Sequence, residues 1–243
     1  MAFTLFISDL HLCESRPAIT STFVRWLLNQ ATQAEALYIL GDFFEYWAGD
    51  DALQPSFHQP IMQALKQTVE LGTTVYLMHG NRDFLMGADF ATATGVTLLA
   101  DPRLISLYGK TVLLMHGDTL CTDDLSYMAF RQQVREPSWQ AQFLSQTVAI
   151  RQSFIEQARK KSESDKSTKA IAIMDVNNSA LESVLRHYHY PEILIHGHTH
   201  KPMLHRHEFA QHACQRYVLG DWYEQGSCLK MTDDGVISTQ KIT

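Results

Sequence analysis

The sequence lacks the features that would place it in several large classes. Its four cysteines, Cys13, Cys121, Cys214 and Cys228, are scattered and form no CxxC pair. They read as free thiols of a reducing compartment, the alternative being a disulfide pair. Lys and Arg total 20 against 26 Asp and Glu, a net charge of −6, so the surface at large lacks the positive field that nucleic acid demands. No uncharged apolar stretch is long enough to cross a bilayer. The N-terminus has neither a basic segment nor a long apolar one, and Asp9 interrupts its first apolar run. No tandem repeat is visible. A cytoplasmic protein is expected, soluble or peripherally attached to a membrane.

What is present is enough for a sizeable core: 243 residues, 45% hydrophobic and 19% charged. One large domain over 1–243 with an insertion is expected. Phe3–Ile7, Leu37–Leu40, Thr74–Met78, Val112–Met115 and Ile193–Ile195 are short, nearly continuous apolar runs. Such runs predict strands buried on both faces. Between the early ones, residues 17–34 and 60–71 carry apolar side chains at helical spacing, the second closed by Gly72. Strands alternating with helices argue for an α/β fold with much parallel pairing. Tyr217–Leu219 and Val236–Ile237 predict further strands that complete a sheet.

Each of the five early runs ends in metal-binding chemistry: Asp9-x-His11, Gly41-Asp42, Gly80-Asn81-Arg82-Asp83, His116, and Gly197-His198-x-His200. A Gly-Asp pair alone is a common turn element. Five such endings at successive strand ends are specific, because ligands of open α/β sheets gather there. His198 and His200 are two apart, so an extended backbone projects both from one face. Carboxylate, imidazole and amide donors without thiolate suit Mn²⁺, Fe or Zn²⁺. His79 and His196 lie deeper in the runs and read as supporting or core residues. Asp221 reads as a strand-end turn. His58, His187, His189, His205, His207 and His212 read as surface residues, and Lys110 and Lys201 as solvated charges.

This ordered set resembles the calcineurin-like metallophosphoesterases, whose pattern is DxH, GD, GNH, H and GHxH. The resemblance runs from Asp9 to His200. It implies a sandwich of two β-sheets flanked by helices, carrying two metal ions. One ion would be held by Asp9, His11, Asp42 and His200, the other by Asp42, Asn81, His116 and His198, with Asp42 shared. Asp42, Asn81, Arg82 and His116 would be the catalytic group, acting with a water activated by the two ions.

One position departs from that pattern. Arg82 stands where the wider family has histidine. A histidine can protonate an alkoxide leaving group; a guanidinium cannot, but it can hold phosphate oxygens bidentately. A phosphate monoester, with a second pKa of about 6, is a leaving group that needs no proton. The bond attacked is then a phosphoanhydride. The runs Gly41–Glu45, His79–Leu85, His116–Asp124 and His196–Pro202 are similar to one branch of the family. That branch implies UDP-2,3-diacylglucosamine as substrate, within lipid A biosynthesis. Attack at the α-phosphorus would give UMP and 2,3-diacylglucosamine 1-phosphate, with two Mn²⁺ (Fe or Zn as alternatives).

Residues 124–170 form a helical-looking insertion with more Lys and Arg than acids, rich in aromatics including Tyr127, Phe130, Trp139, Phe143 and Phe154. Such a cap could sheath acyl chains and set its cations against phosphates and anionic headgroups; it could equally be a helical hairpin burying its own core. By resemblance, Asn81, Arg82, Asp124, Ser162, Lys166, Lys169 and His198 contact substrate. The implied location is the cytoplasmic face of the inner membrane, peripheral, with a monomer favoured and no nucleic acid partner. A soluble nucleotide pyrophosphatase or phosphodiesterase of the same superfamily is the alternative enzyme. A catalytically silent scaffold is the alternative outside enzymes, and it is opposed by the filled ligand set.

Overall fold

The computed structural model describes residues 1–168 and 175–243, with 163–168 described for the backbone alone. Among the described residues, eleven strands form two sheets. The first sheet contains β1 (Phe3–Ile7), β2 (Ala36–Leu40), β3 (Thr74–Met78), β4 (Thr97–Leu99), β10 (Gly226–Thr232) and β11 (Ile237–Ile242). Its order is β11-β10-β1-β2-β3-β4, parallel from β1 to β4 and antiparallel at β10 and β11. The second contains β5 (Arg103–Leu107), β6 (Lys110–Leu114), β7 (Ile193–His196), β8 (Met203–Phe209) and β9 (His212–Val218). Its order is β5-β6-β7-β9-β8, with β6, β7 and β9 parallel.

The apolar runs are continuous because both faces of each inner strand are covered. Successive side chains alternate between faces. Leu5, Ile7, Leu37 and Ile39 pack with Phe23, Trp26 and Leu27 of α1 (Pro17–Asn29) and Ile61 and Leu65 of α2 (Pro55–Glu70). Phe6, Tyr38, Leu40 and Met78 point the other way, onto Val112, Leu114, Ile193 and Ile195 of the second sheet. Leu113 and Leu194 then cover the far side, against Leu181 and Leu185 of α7 (Asn178–His187). The layers are helix, sheet, sheet, helix, and every strand bearing a ligand motif lies inside them. Burying one such Leu or Phe contributes roughly 1.5–3 kcal/mol.

α2 starts at residue 55, earlier than the expected 60, with Pro60 inside it. Pro60 stands in the second turn, where it lacks the N–H that would bond the carbonyl four residues before it. α1 ends at Asn29, and the rest of the expected 17–34 stretch is a short 3₁₀ turn at Ala31–Gln33. α3 (Ala88–Thr94) precedes β4. Among the described residues between β6 and α7 are the α-helices α4 (Leu125–Arg135), α5 (Pro137–Leu144) and α6 (Val148–Thr168). Among the described residues no helix is long and apolar enough to cross a membrane.

Candidate metal centre

The strand ends converge on one pocket at the carboxyl edge of both sheets. Loop-to-loop hydrogen bonds hold them together. The Asp9 N–H donates to the Gly41 carbonyl at 3.1 Å, the His11 N–H to the Asp42 carbonyl at 2.9 Å, and the Gly197 N–H to the His116 carbonyl at 2.9 Å. Two glycines allow this closeness. A methyl group at Gly80 would collide with Asp42 Oδ1, and one at Gly197 with Asp9 Oδ2.

The backbone itself marks the site. Asp9, His11, Asp42, His198 and His200 all have positive φ, between 49° and 67°. For residues other than glycine this region is sparsely occupied and costs of order 1–3 kcal/mol each. Of the ten non-glycine residues with positive φ among the described residues, these five lie together at one place, which points to a functional constraint.

Two groups of ligand atoms result. In the first, His200 Nε2 lies 3.3 Å from Asp9 Oδ1 and 3.4 Å from His11 Nε2. His11 Nε2 is also 3.7 Å from Asp42 Oδ2. In the second, Asn81 Oδ1 lies 3.0 Å from both His116 Nε2 and His198 Nδ1. His116 Nε2 is 3.8 Å from the other oxygen of Asp42, Oδ1. Asp42 therefore turns one oxygen to each group. All seven residues expected to hold metal are brought together.

The donor set fits divalent cations. Ligands at about 2.0–2.2 Å from one ion stand roughly 3–3.5 Å from each other; the spacings here run from 3.0 to 4.0 Å, the widest being those of Asp42 and of Asp9 with His11. His116 Nδ1 donates to the Leu40 carbonyl at 2.9 Å, which turns Nε2 toward the Asn81 oxygen. Asp9 Oδ1 and His11 Nδ1 are buried without a hydrogen-bond partner. Asp9, His11, Asp42 and His116 are at most 2% exposed, and buried carboxylates demand a compensating positive charge.

Protonation in the cation-free protein shows the same demand. Burial pushes the Asp42 carboxyl up to about 7. Burial alone would depress His116, but the carboxylates of Asp42, Asp118 and Asp9 outweigh it and raise the ring to about 9. Burial would raise Asp9, yet the neighbouring His200, His116 and His11 hold it well below the ordinary carboxylate range. Burial lowers His198 to about 4.

Several supporting residues escaped sequence reasoning. Asp83, fully buried, accepts from the Gly80 N–H at 2.8 Å and the Phe43 N–H at 2.7 Å, tying the second and third loops together. Ser8 donates to Asp9 Oδ2 at 2.6 Å. Asp221, expected to be only a turn residue, does accept from the Tyr223 N–H, but its Oδ2 also lies 3.4 Å from His200 Nδ1. The signal was the Gly220-Asp221 pair, which repeats Gly41-Asp42. Tyr223 stacks on the His11 ring, with centroids 5.3 Å apart.

The expected supporting role of His196 and His79 fits what they touch. His196, fully buried, hydrogen-bonds to the Gly197 carbonyl and to Arg216; His79 bonds to the Met86 carbonyl at 2.7 Å. His58 is not a plain surface residue: it is half-buried among the rings of Phe44, Trp47 and Phe57. Lys110 and Lys201 are not merely solvated; they pair with Glu192 at 2.7 Å and Asp175 at 2.6 Å.

Arg82 sits at the mouth of the pocket. Its N–H donates to Asp42 Oδ1 at 2.8 Å, and its guanidinium is 3.5 Å from Glu45 Oε1 and 17% exposed. Over this mouth lie α4 and α6. The Tyr127 ring of α4 is 5.9 Å from that of His198, and its hydroxyl donates to Asp118. Asp124 caps α4 by accepting from the Tyr127 N–H at 3.1 Å. The arginines of 124–170 depart from expectation. They turn inward, Arg131 onto Asp118, Arg135 onto the Gly80 carbonyl, Arg151 onto Asp51 and Arg159 onto Glu45. Ion pairs and carbonyl contacts hold these guanidiniums in the fold, although Arg151 Nε and Arg159 Nε are buried without a hydrogen-bond partner. Lys160, Lys161 and Ser162 remain exposed. The Lys166 side chain and all of Lys169 lie outside the described residues.

The profile of the calcineurin-like phosphoesterase family matches residues 4–202. Curated relatives in Escherichia coli O7:K1 and Escherichia fergusonii are each 47% identical over 233 residues, and one in Stenotrophomonas maltophilia is 48% identical over 239. Each comparison covers 96% of this chain and 96% of the relative, and each relative is named UDP-2,3-diacylglucosamine hydrolase.

Proposed function

We propose, for a chain that belongs to the calcineurin-like phosphoesterase family, hydrolysis of the pyrophosphate bond of UDP-2,3-diacylglucosamine. Attack at the α-phosphorus would release UMP and 2,3-diacylglucosamine 1-phosphate. The observation that carries this reading is the convergence of Asp9, His11, Asp42, Asn81, His116, His198 and His200, with Arg82 at the mouth. The names of relatives matched over nearly their whole length supply the substrate.

Asp9, His11, Asp42 and His200 would hold one divalent cation, and Asp42, Asn81, His116 and His198 the other. Bound there, two such ions polarise phosphoryl oxygens and lower the pKa of water toward neutrality. Mn²⁺ is the proposed ion, with Fe or Zn²⁺ chemically compatible. The chain's own residues do the rest. Arg82, anchored through its backbone to Asp42, offers a planar guanidinium to the phosphate oxygens. The departing sugar phosphate, with a second pKa of about 6, leaves without needing a proton. Tyr127 and α4 wall the pocket beside His198 and limit the access of bulk water.

Residues 124–170 act in this reading as the cap over the acyl chains. Leu125, Phe130, Leu144, Ile150 and Phe154 are large apolar side chains left exposed on it, beside Lys160 and Lys161. That pattern suits an anionic bilayer surface, and the proposed location is peripheral on the inner membrane. Asp124, Ser162, Lys166 and Lys169 are the proposed substrate contacts of the cap.

Product analysis tests this reading. UDP-2,3-diacylglucosamine and its deacylated analogue are incubated with and without Mn²⁺, in ¹⁸O-water. The expected result is Mn²⁺-dependent release of UMP carrying the ¹⁸O label, from the acylated compound by a wide margin. Equal turnover of both compounds would favour the soluble nucleotide pyrophosphatase, and no turnover of either would sink the proposal.

A further inference from the structure

The two histidines of the first ligand group share an arrangement that the sequence motifs do not contain. His11 and His200 both turn Nε2 into the pocket, toward Asp9 Oδ1 and each other. Each therefore turns Nδ1 outward, with a carboxylate from a different loop within ion-pair distance, although His11 Nδ1 makes no hydrogen bond in the cation-free protein. Glu45 Oε2 is 3.6 Å from His11 Nδ1, and Asp221 Oδ2 is 3.4 Å from His200 Nδ1. An imidazole that gives one nitrogen lone pair to a cation must carry its proton on the other nitrogen. A carboxylate there fixes that tautomer, holds the ring plane and raises the basicity of the ligating nitrogen. The second group is built differently: His116 leans on a backbone carbonyl, and His198 faces Asn81 with Nδ1 itself.

Asp221 has little other structural work, whereas Glu45 also serves as the counter-ion of three arginines. Asp221 is 28% exposed, and its remaining bond is a single turn contact to Tyr223. Glu45 is drawn toward the centre although Arg16, Arg82 and Arg159 all pull on it, at 3.3, 3.5 and 2.7 Å. It thus joins a metal ligand to Arg82 at the pocket mouth.

We propose that Glu45 and Asp221 are positioning residues that hold His11 and His200 with Nε2 ready to receive a divalent cation. This rests on the reading of the pocket as a metal centre, and the test separates the two. Mn²⁺ binding is titrated by calorimetry in the absence of any substrate, for the unaltered chain, Glu45→Gln, Asp221→Asn and Asp51→Asn. Asp51 is the control, since it pairs with Arg151 away from the rings. The expected result is Mn²⁺ affinity at least about tenfold weaker in Glu45→Gln and in Asp221→Asn, with Asp51→Asn within twofold of the unaltered chain. Thermal midpoints of the cation-free forms should stay within a few degrees. If Glu45→Gln does not fold once three guanidiniums lose their counter-ion, Asp221→Asn alone carries the test. Affinities within twofold for both variants, or an equal loss in Asp51→Asn, would overturn the proposal while leaving the metal centre intact. No Mn²⁺ binding by the unaltered chain would overturn both.

Discussion

His11 and His200 stand with their Nε2 atoms 3.4 Å apart, although 189 residues separate them in the chain. An N–H of one ring can bridge to the other's lone pair, but the Asp9 carboxylate beside them, buried and with one oxygen unpartnered, calls for positive charge as well.

Chelation should therefore destabilise the fold as well as stop the reaction. A ligand bound only by the native state adds about 2.7 kcal/mol when its free concentration is a hundred times its dissociation constant. The thermal midpoint with saturating Mn²⁺ should exceed that in EDTA, and added Mn²⁺ should restore turnover. Identical midpoints would argue against a native-state metal centre.

Arg82→His should restore the wider family's residue and yet lose activity on the pyrophosphate. Hydrogen bonds to charged groups are worth roughly 1.5–3 kcal/mol, so kcat/KM should fall on the order of 10- to 100-fold. Steady-state kinetics on UDP-2,3-diacylglucosamine would check this. Unchanged turnover would remove the leaving-group reasoning.

Phe6→Ala tests how the two sheets are joined. Phe6 is fully buried and stacks on Tyr38, with ring centroids 5.3 Å apart, in the layer between the sheets. Truncation should cost roughly 3–5 kcal/mol, read as a lower urea midpoint. A loss under about 1 kcal/mol would mean that this layer is not the joint.

Stability should depend on pH through His58. Burial among rings lowers its pKa below 6.5, opposed by a bond to Gln54 and the charge of Glu14. A folded-state pKa below the unfolded one means that the unfolded chain binds the proton more readily. His58 thus exacts no penalty above about pH 6.5, and stability is lost as pH falls from there through the lowered value. Urea unfolding at pH 7.5 and pH 5 should show a larger drop in the unaltered chain than in His58→Asn. Equal drops would contradict the assignment.

Much of the fold and site was legible because the ligand motifs sit where apolar runs stop. A run such as Leu37–Leu40 followed by Gly41-Asp42 announces both a strand and what its end presents. Which sheet each run joins was not legible, since strands covered on both faces carry no alternation to distinguish Phe6 from Ile7. β4, β5 and α3 are too short or too exposed to leave a pattern. Glu45 is a single carboxylate with no local mark that it will meet a distant ring, and the Gly220-Asp221 pair that marks Asp221 is also an ordinary turn element. The inward turn of Arg131, Arg151 and Arg159 is equally non-local, because each partner acid lies in another segment.

The most direct test of the centre is an anomalous-difference map at the manganese edge from crystals equilibrated with Mn²⁺. It should show two peaks about 3.5–4 Å apart on either side of Asp42, one among Asp9, His11 and His200, the other among Asn81, His116 and His198. An absence of peaks in saturating Mn²⁺, or peaks away from Asp42, would contradict it.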